Sequence, residues 1–363
     1  MDNSIFTGNR YESWKFEKLS LSGSEYIHNG WITEYIKEAS ITIDFDRNII
    51  GSSRFQIDDD LSIDYLSDRI KVYYSLGGYD FPLGVYIPIN PQQHFLNTDI
   101  ERNVQAYDLL KALEDDKITT SFSLDEGDVI TDEIETILDG VGSWVKYNIE
   151  ASTETLADDK SYEIGTSKLF IINSLLNMIN YYPLWVSGNG VFRAVPWSAT
   201  KNVTWTFLDD SESLYEADVL RDIDYSEAYN KVLIIANQLS SSANLYKAWT
   251  MEDEEIENHP FSYTNIGRYV TKVFYSEASS QSYVDLRARR EIRKMLELNE
   301  TIDYPHAFIT SRETDGLPYQ GDHYKFKNTE LGIYETYKII RFDWNLKIGQ
   351  SVKTKIRRVT QPE

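Results

Sequence analysis

The side chains best suited to proton transfer or metal ligation near neutral pH are five histidines, His28, His94, His259, His306 and His323. None stands in a His-Glu-x-x-His arrangement or another ligand spacing. His306 and His323 could meet if their strands pair, with Asp322 beside them, giving a cation two imidazoles and a carboxylate. An ordinary surface histidine is the plainer account of each. Asp58-Asp59-Asp60 looks like a cation loop, but a calcium loop alternates its acids, needs a glycine and closes on a distant Glu. This run passes directly into Leu61-Ser62-Ile63, as a solvated turn does. There is no G-x-S-x-G elbow, no G-x-x-x-x-G-K-[ST] loop and no G-x-G-x-x-G opening a helix. The chain has no cysteine, which excludes disulfides, thiolate metal sites and thiol catalysis. What remains is paired carboxylates flanked by aromatic platforms, as a glycosidase uses. The 58 acidic residues make a pair available, yet no spacing selects one. The sequence therefore nominates no catalytic, cofactor-binding or metal-ligating residue, and it points away from an enzyme.

The elements that would position any site are mostly strands. Ile41–Phe45, Ile70–Tyr74 and Tyr337–Phe342 alternate apolar and polar residues, so one face of each packs on a core and the other meets water or a partner. With 363 residues the chain is long enough for two or three domains. The 26 tyrosines suit strands and interfaces, where the ring packs and the hydroxyl stays wet. The longest apolar run, Leu169 to Leu176, is broken by Asn173 and Ser174 and is too short to cross a bilayer. Residues 1–10 carry no basic-then-apolar leader, so synthesis in a cytoplasm without general secretion is expected.

Net charge is −22, which argues against a general basic face for nucleic-acid phosphates. Between Asp108 and Glu163 sixteen acids face four bases, about −12 of that total. Basic residues gather at Arg287–Lys294 and Lys347–Arg358, and patches of opposite sign on one chain suggest oriented docking or self-assembly.

Along the chain, strands are expected at Trp14–Leu21, Trp31–Ile36, Ile41–Phe45, Arg54–Ile57, Leu61–Tyr65, Ile70–Leu76 and Leu83–Ile87. Turns are expected at Asn29-Gly30, Gly51-Ser52-Ser53, Asp58–Asp60 and Gly77-Gly78. After Ala106 the pattern becomes helical. Tyr107–Leu113 is a short helix. Ile130, Ile134, Ile137, Leu138 and Val141 form one helical face closed by Gly140 or Gly142. A third helix starts at Thr166 or Ser167 and runs to about Asn180. Strands Leu184–Val186 and Val191–Val195 flank a hairpin turn at Ser187-Gly188-Asn189-Gly190. Strands resume at Val203–Phe207, Asp218–Tyr225, Lys231–Asn237, Tyr269–Tyr275, Ile302–Ile309, Asp322–Phe326, Ile333–Phe342 and Val352–Val359. One long helix, 282–299, interrupts them, with Val284, Ala288, Ile292, Met295 and Leu296 inward and its arginines outward. Met251–His259 reads as an acidic loop. The division is a β-rich part at 1–106, an α+β insertion at 107–200 and a second β-rich part at 201–363.

Several stretches together give this order a likeness. They are Ile70–Pro88 (IKVYYSLGGYDFPLGVYIP), Val104–Leu113 (VQAYDLLKAL), Leu175–Val195 with its helix, proline and hairpin, Tyr229-Asn230-Lys231-Val232, the helix around Arg287–Leu296, and Leu331-Gly332-Ile333-Tyr334 through Arg357-Arg358-Val359. The chain resembles the tail hub, or baseplate hub, proteins of tailed bacteriophages and the N-terminal structural part of tail-associated lysins. The resemblance implies an α+β, β-dominated fold with two tail-tube-like β-barrel domains and an α+β insertion. It implies a homotrimer whose six barrels form a pseudo-sixfold ring under the distal tail or tail-tube protein. Tape measure protein and receptor-binding or spike proteins would be further partners, at the tip of the virion tail. DNA would pass through the ring without specific binding, past a lumen to which part of the acidic excess turns. Lytic extensions occur in the family; the sequence stops at Glu363, and no lytic activity is expected. Alternatives are the hub of a phage-tail-like contractile injection particle and a two-carboxylate carbohydrate-active tail enzyme.

Overall fold

The computed structural model describes Phe6 and residues 11–58, 63–96, 99–198, 202–210, 213–223, 228–236, 245–276, 281–298 and 300–358. Strands β1–β7 are Glu12–Ser22, Glu25–Trp31, Ile36–Asp44, Gly51–Asp58, Arg69–Leu76, Tyr79–Leu96 and Asp99–Tyr107. The middle of the chain adds β8 (Phe122–Leu124), β9 (Tyr147–Ile149), β10 (Lys160–Tyr162), β11 (Trp185–Val186) and β12 (Phe192–Ala194), with helices α1 (Leu110–Asp115), α2 (Ile130–Asp139) and α3 (Lys168–Met178). The last part holds β13 (Asn202–Phe207), β14 (Leu220–Asp222), β15 (Lys231–Ala236), β16 (Leu245–Thr250), β17 (Thr271–Ser276), β18 (Thr301–His306), β19 (Asp322–Asn328), β20 (Ile333–Asn345) and β21 (Val352–Arg358), with α4 (Tyr263–Ile266) and α5 (Gln281–Leu298).

The fold is β-dominated, as the alternation predicts. One thirteen-stranded sheet runs β14-β18-β21-β20-β3-β4-β7-β6-β5-β1-β2, with β19 on β20 and β13 on β19. All its pairs are antiparallel except β13–β19. Two long strands carry it around. The eighteen-residue β6 pairs first with β5 and then with β7. The N-terminal half of β20 pairs with β19, and its C-terminal half, past an irregularity between Ile339 and Arg341, pairs with β3. The early and the closing strands thus share one hydrogen-bonded ladder. Its inner face is aromatic: Trp14, Tyr74, Phe308 and Trp344 lie with ring centroids 4.4–5.0 Å apart. Tyr74, Tyr86, Tyr304 and Tyr337 are fully buried, although tyrosine in strands is ordinarily half exposed.

Residues 110–196 pack onto the same core. Ser167 caps α3, its hydroxyl accepting the Phe170 N–H, and Leu169, Ile171, Ile172, Leu175 and Leu176 are buried. The 187–190 turn docks against β6. Gly188 N–H donates to Asp315, Gly84 N–H donates to the Gly188 carbonyl, and a Cβ at Gly188 would stand 2.1 Å from the Pro82 oxygen. Only glycine fits so close to another backbone.

A second core is separate. Tyr229, Val232, Ile234, Ala236, Met251, Val284, Ala288, Ile292 and Met295 join β15 to one face of α5, under a small sheet of order β16-β15-β17. This module leaves the chain between β14 and β18, which are neighbours in the large sheet.

Several local expectations fail. Trp31–Ile36 is the end of β2 followed by a 3₁₀ turn at Thr33–Tyr35, and Asn29-Gly30 lies inside β2. The hairpin turn sits instead at Gly23-Ser24. Gly51-Ser52-Ser53 opens β4, because Gly51 must pass under the Asp108 carboxylate, whose oxygen would lie 2.7 Å from a Cβ there. Ile63–Tyr65 is irregular, Asp59–Ser62 lie outside the described residues, and β16 replaces what no pattern marked. Tyr107 ends β7, and the helix begins at Leu110.

Asp108 itself is buried, accepting the Gly51 N–H at 2.6 Å and the Leu110 N–H at 3.0 Å. Burial outweighs those donors and pushes its carboxyl up to about 7. An acid raised in the folded state holds its proton longer than in the unfolded chain. Its contribution is therefore most favourable below the ordinary value of 3.8 and is lost as pH rises to about 7. Urea unfolding at pH 4.5 and pH 7 should show wild type losing roughly 3 kcal/mol more than Asp108→Asn over that interval. Equal slopes for the two chains would assign the pH dependence elsewhere.

Candidate functional site

The solvent face of β20, β3, β4, β7 and β6 is the most distinctive surface among the described residues. Alternation turns Ile41, Ile43, Phe55, Ile57, Val104 and Ala106 inward. Directly cross-strand partners then form rows on the outer face. One row reads Asn345, Ser40, Arg54, Gln105, Asn90. A second reads Glu38, Gln56, Asn103, Gln92 and a third Asp343, Thr42, Ser52, Tyr107. With the loop after β20, the first two rows enclose a concavity of about 730 Å³, lined by seven Asn and Gln side chains.

Amides and hydroxyls both donate and accept while carrying no charge. Apart from Arg54, the charges present are paired. Glu38 is the only acid lining the concavity, and it takes a hydrogen bond from Lys347 Nζ at 2.6 Å. At the rim, Lys37 lies between Asp58 (2.7 Å) and Glu101 (2.9 Å). Hydrogen bonds from Lys37 and Gln56 hold Glu101 below the usual carboxylate range. Asp343 accepts from Thr42 at 2.7 Å and from Arg341 at 2.6 Å, which raises the arginine further. The concavity thus has no pair of free carboxylates for glycoside chemistry.

The histidines do not converge. His306 is buried on β18, which pairs with β14 and β21, while His323 is on β19. His306 Nδ1 faces the Ala307 carbonyl at 2.7 Å and Nε2 the Thr354 hydroxyl at 2.8 Å, so both nitrogens are used inside the core. Among the described residues no three His, Cys, Asp or Glu side chains group as a metal would need.

Most arginines of the two basic clusters find partners within the chain. Arg289 and Arg293 donate to buried Glu254 at 2.5 and 2.7 Å, and Lys294 donates to buried Glu291 at 3.0 Å. Arg290 is buried and reaches Asn180 and Asn177 at 2.8 and 3.1 Å. The expectation that the helix arginines face away holds for exposed Arg289 and fails for buried Arg290; the acid that Arg289 and Arg293 share comes from the 251–259 segment, which the chain order does not reveal. Arg357 and Arg358 likewise pair with Asp46, Glu300 and Glu335.

No family model and no curated protein matches the sequence. Solved structures do match along almost the whole length. A tail protein from Neisseria meningitidis superimposes with TM-score 0.67 at 13% identity, covering 96% of this chain and 97% of that one. The chain has the fold of phage tail proteins. A prophage MuSo2 43 kDa tail protein from Shewanella oneidensis gives TM-score 0.64 at 13% identity, over 94% of this chain and 98% of its own. A component of the type VI secretion system from E. coli, described as similar to the T4 bacteriophage tail proteins gp27 and gp5, gives 0.52 at 9% identity over 91% and 74%. The recognition drawn from diffuse sequence stretches thus agrees with the fold. The polar sheet face was missed, although outward positions filled by Ser, Thr, Asn and Gln are visible in the alternation of β3, β4 and β7.

Proposed function

We propose that this chain is a structural subunit of a phage tail tip or baseplate, a hub that assembles as a homotrimer and acts without bond-breaking chemistry of its own. The observation that carries the reading is the end-to-end fold match to tail proteins, with neither chain left with a large unmatched part. In this reading 1–106 and 201–363 supply two tube-like parts per copy and 107–200 the insertion, and three copies close a pseudo-sixfold ring. Barrel closure would then be completed between copies. Among the described residues β2 pairs only with β1, β14 only with β18 and β13 only with β19, so the large sheet has three free edges where a neighbour's strand can add.

The five-strand polar face is the proposed channel wall. DNA passing at speed meets uncharged amides and, apart from Arg54, internally paired ions, a surface with no strong field of either sign. This modifies the acidic lumen expected from composition: in this reading the acid of 108–163 lies on the insertion, away from the wall. The partners proposed are the distal tail or tail-tube protein above, and tape measure and spike or receptor-binding proteins. The likeness to the type VI secretion component favours one second reading, the hub of a contractile injection particle.

Sedimentation at micromolar concentration tests the assembly. The expected species has three times the 42.2 kDa chain mass, and electron microscopy of particles should place it at the tail tip. A monomer at every concentration, absent from particles, would sink the proposal.

A further inference from the structure

The polar face ends, beside β20, in a hollow of about 320 Å³ whose lining includes Arg47, Arg54 and Arg341 together with the hydroxyls of Ser40, Thr42 and Ser52. Three guanidinium groups in one hollow are unexpected on a chain of net charge −22. Two of them are already answered. Asp44 takes Arg47 at 3.1 Å and Arg341 at 3.7 Å, and Asp343 takes Arg341 at 2.6 Å and the Thr42 hydroxyl at 2.7 Å. Three cations against two acids leave one positive charge. That charge is Arg54, exposed and with no side-chain partner among the described residues. The Ser40 and Ser52 hydroxyls beside it likewise bond to nothing that is described. Register brings them together: Ser40 is directly opposite Arg54, and Ser52 is two residues along the same strand on the same face.

A planar guanidinium fork flanked by hydroxyl donors on two strands is the arrangement that receives a tetrahedral oxyanion. We propose that this hollow binds a phosphate group, with Arg54 as its charged contact and the Ser40 and Ser52 hydroxyls as its neutral ones. A carboxylate is the poorer fit, since it has two oxygens for three groups of donors. The phosphate can come from free ion or from a phosphodiester backbone. That the backbone is duplex DNA in transit rests on the channel reading above; the hollow does not. One charged contact per copy makes a weak site, suited to a polymer that must not stick.

The test uses the full chain in whatever oligomeric state it adopts. A fluorescein-labelled 15-base-pair duplex is titrated by anisotropy across a salt series with wild type, Arg54→Gln and Arg268→Gln. Arg268 is an exposed arginine of the separate module, so the last variant makes the same charge change elsewhere. Inorganic phosphate is titrated in parallel by calorimetry. Arg54→Gln should weaken duplex binding about tenfold and lower the salt slope by about one, while Arg268→Gln stays within twofold of wild type. If the two variants behave alike, or wild type binds neither probe, the phosphate site is refuted. If inorganic phosphate binds in an Arg54-dependent way and duplex does not, the site stands and the DNA source is overturned, whether or not the chain proves to be a trimer.

Discussion

Glu254→Ala is expected to unfold the 229–298 module while the thirteen-stranded sheet stays folded. Glu254 is buried, and its carboxylate accepts from Arg289, Arg293 and the Trp249 indole at 3.1 Å. It is the point where the turn after β16 is tied to α5. Removing the buried carboxylate leaves Arg293 and the Trp249 indole largely desolvated and unpaired, while half-exposed Arg289 turns to water, at a cost of roughly 3 kcal/mol. The module's own apolar core is small, and that loss is comparable to the whole stability of a small domain. The rest of the chain has a different core and does not use Glu254. Thermal unfolding of wild type followed by calorimetry should therefore gain an early transition in the variant, and hydrogen exchange should locate it in β15–β17 and α5. Glu254→Gln keeps the shape and one acceptor and should lose less. A single transition shifted as a whole would show that the module has no separate stability.

What the sequence made legible follows from the kind of information it holds. Strands with one dry and one wet face announce themselves by alternation, so β1, β3, β4, β5, β15, β19 and β20 fall where expected. Helices α2, α3 and α5 are marked by their apolar faces and, for α3, by Ser167. The hairpin at 187–190 was visible because glycine and asparagine leave few alternatives. Gly51 misled because a glycine demanded by close approach to Asp108 looks the same in sequence as one demanded by a turn. The arginines of α5 misled because helical periodicity treats every charge as a wish for water. Arg289, Arg290 and Arg293 make their shortest side-chain hydrogen bonds to partners 35 to 110 residues away, beyond any local pattern. The polar face failed to register for a related reason: it exists only once β20 lies beside β3, a pairing across some 300 residues.

That same pairing makes the second large effect predictable. Trp344→Ala should destabilise the early strands and the closing strands together. Trp344 is 2% exposed on β20, edge-on to Trp14 of β1 at 4.4 Å, against Tyr74 of β5 at 4.9 Å and stacked on Phe308 at 5.0 Å. Its indole N–H donates to the Gln350 carbonyl at 3.1 Å. Truncation removes the apolar ring, opens a cavity among three other aromatics and leaves that carbonyl without its donor, for about 3–5 kcal/mol. Trp344→Phe restores most of the volume and should recover more than half of the loss. Because the rings come from both ends of the chain, the damage cannot stay local. Hydrogen exchange in β1, β5 and β20 should accelerate by a common factor in the alanine variant, with the 229–298 module protected as in wild type. Loss of protection in β20 alone, with β1 and β5 unchanged, would mean that the early and closing strands do not form one cooperative unit.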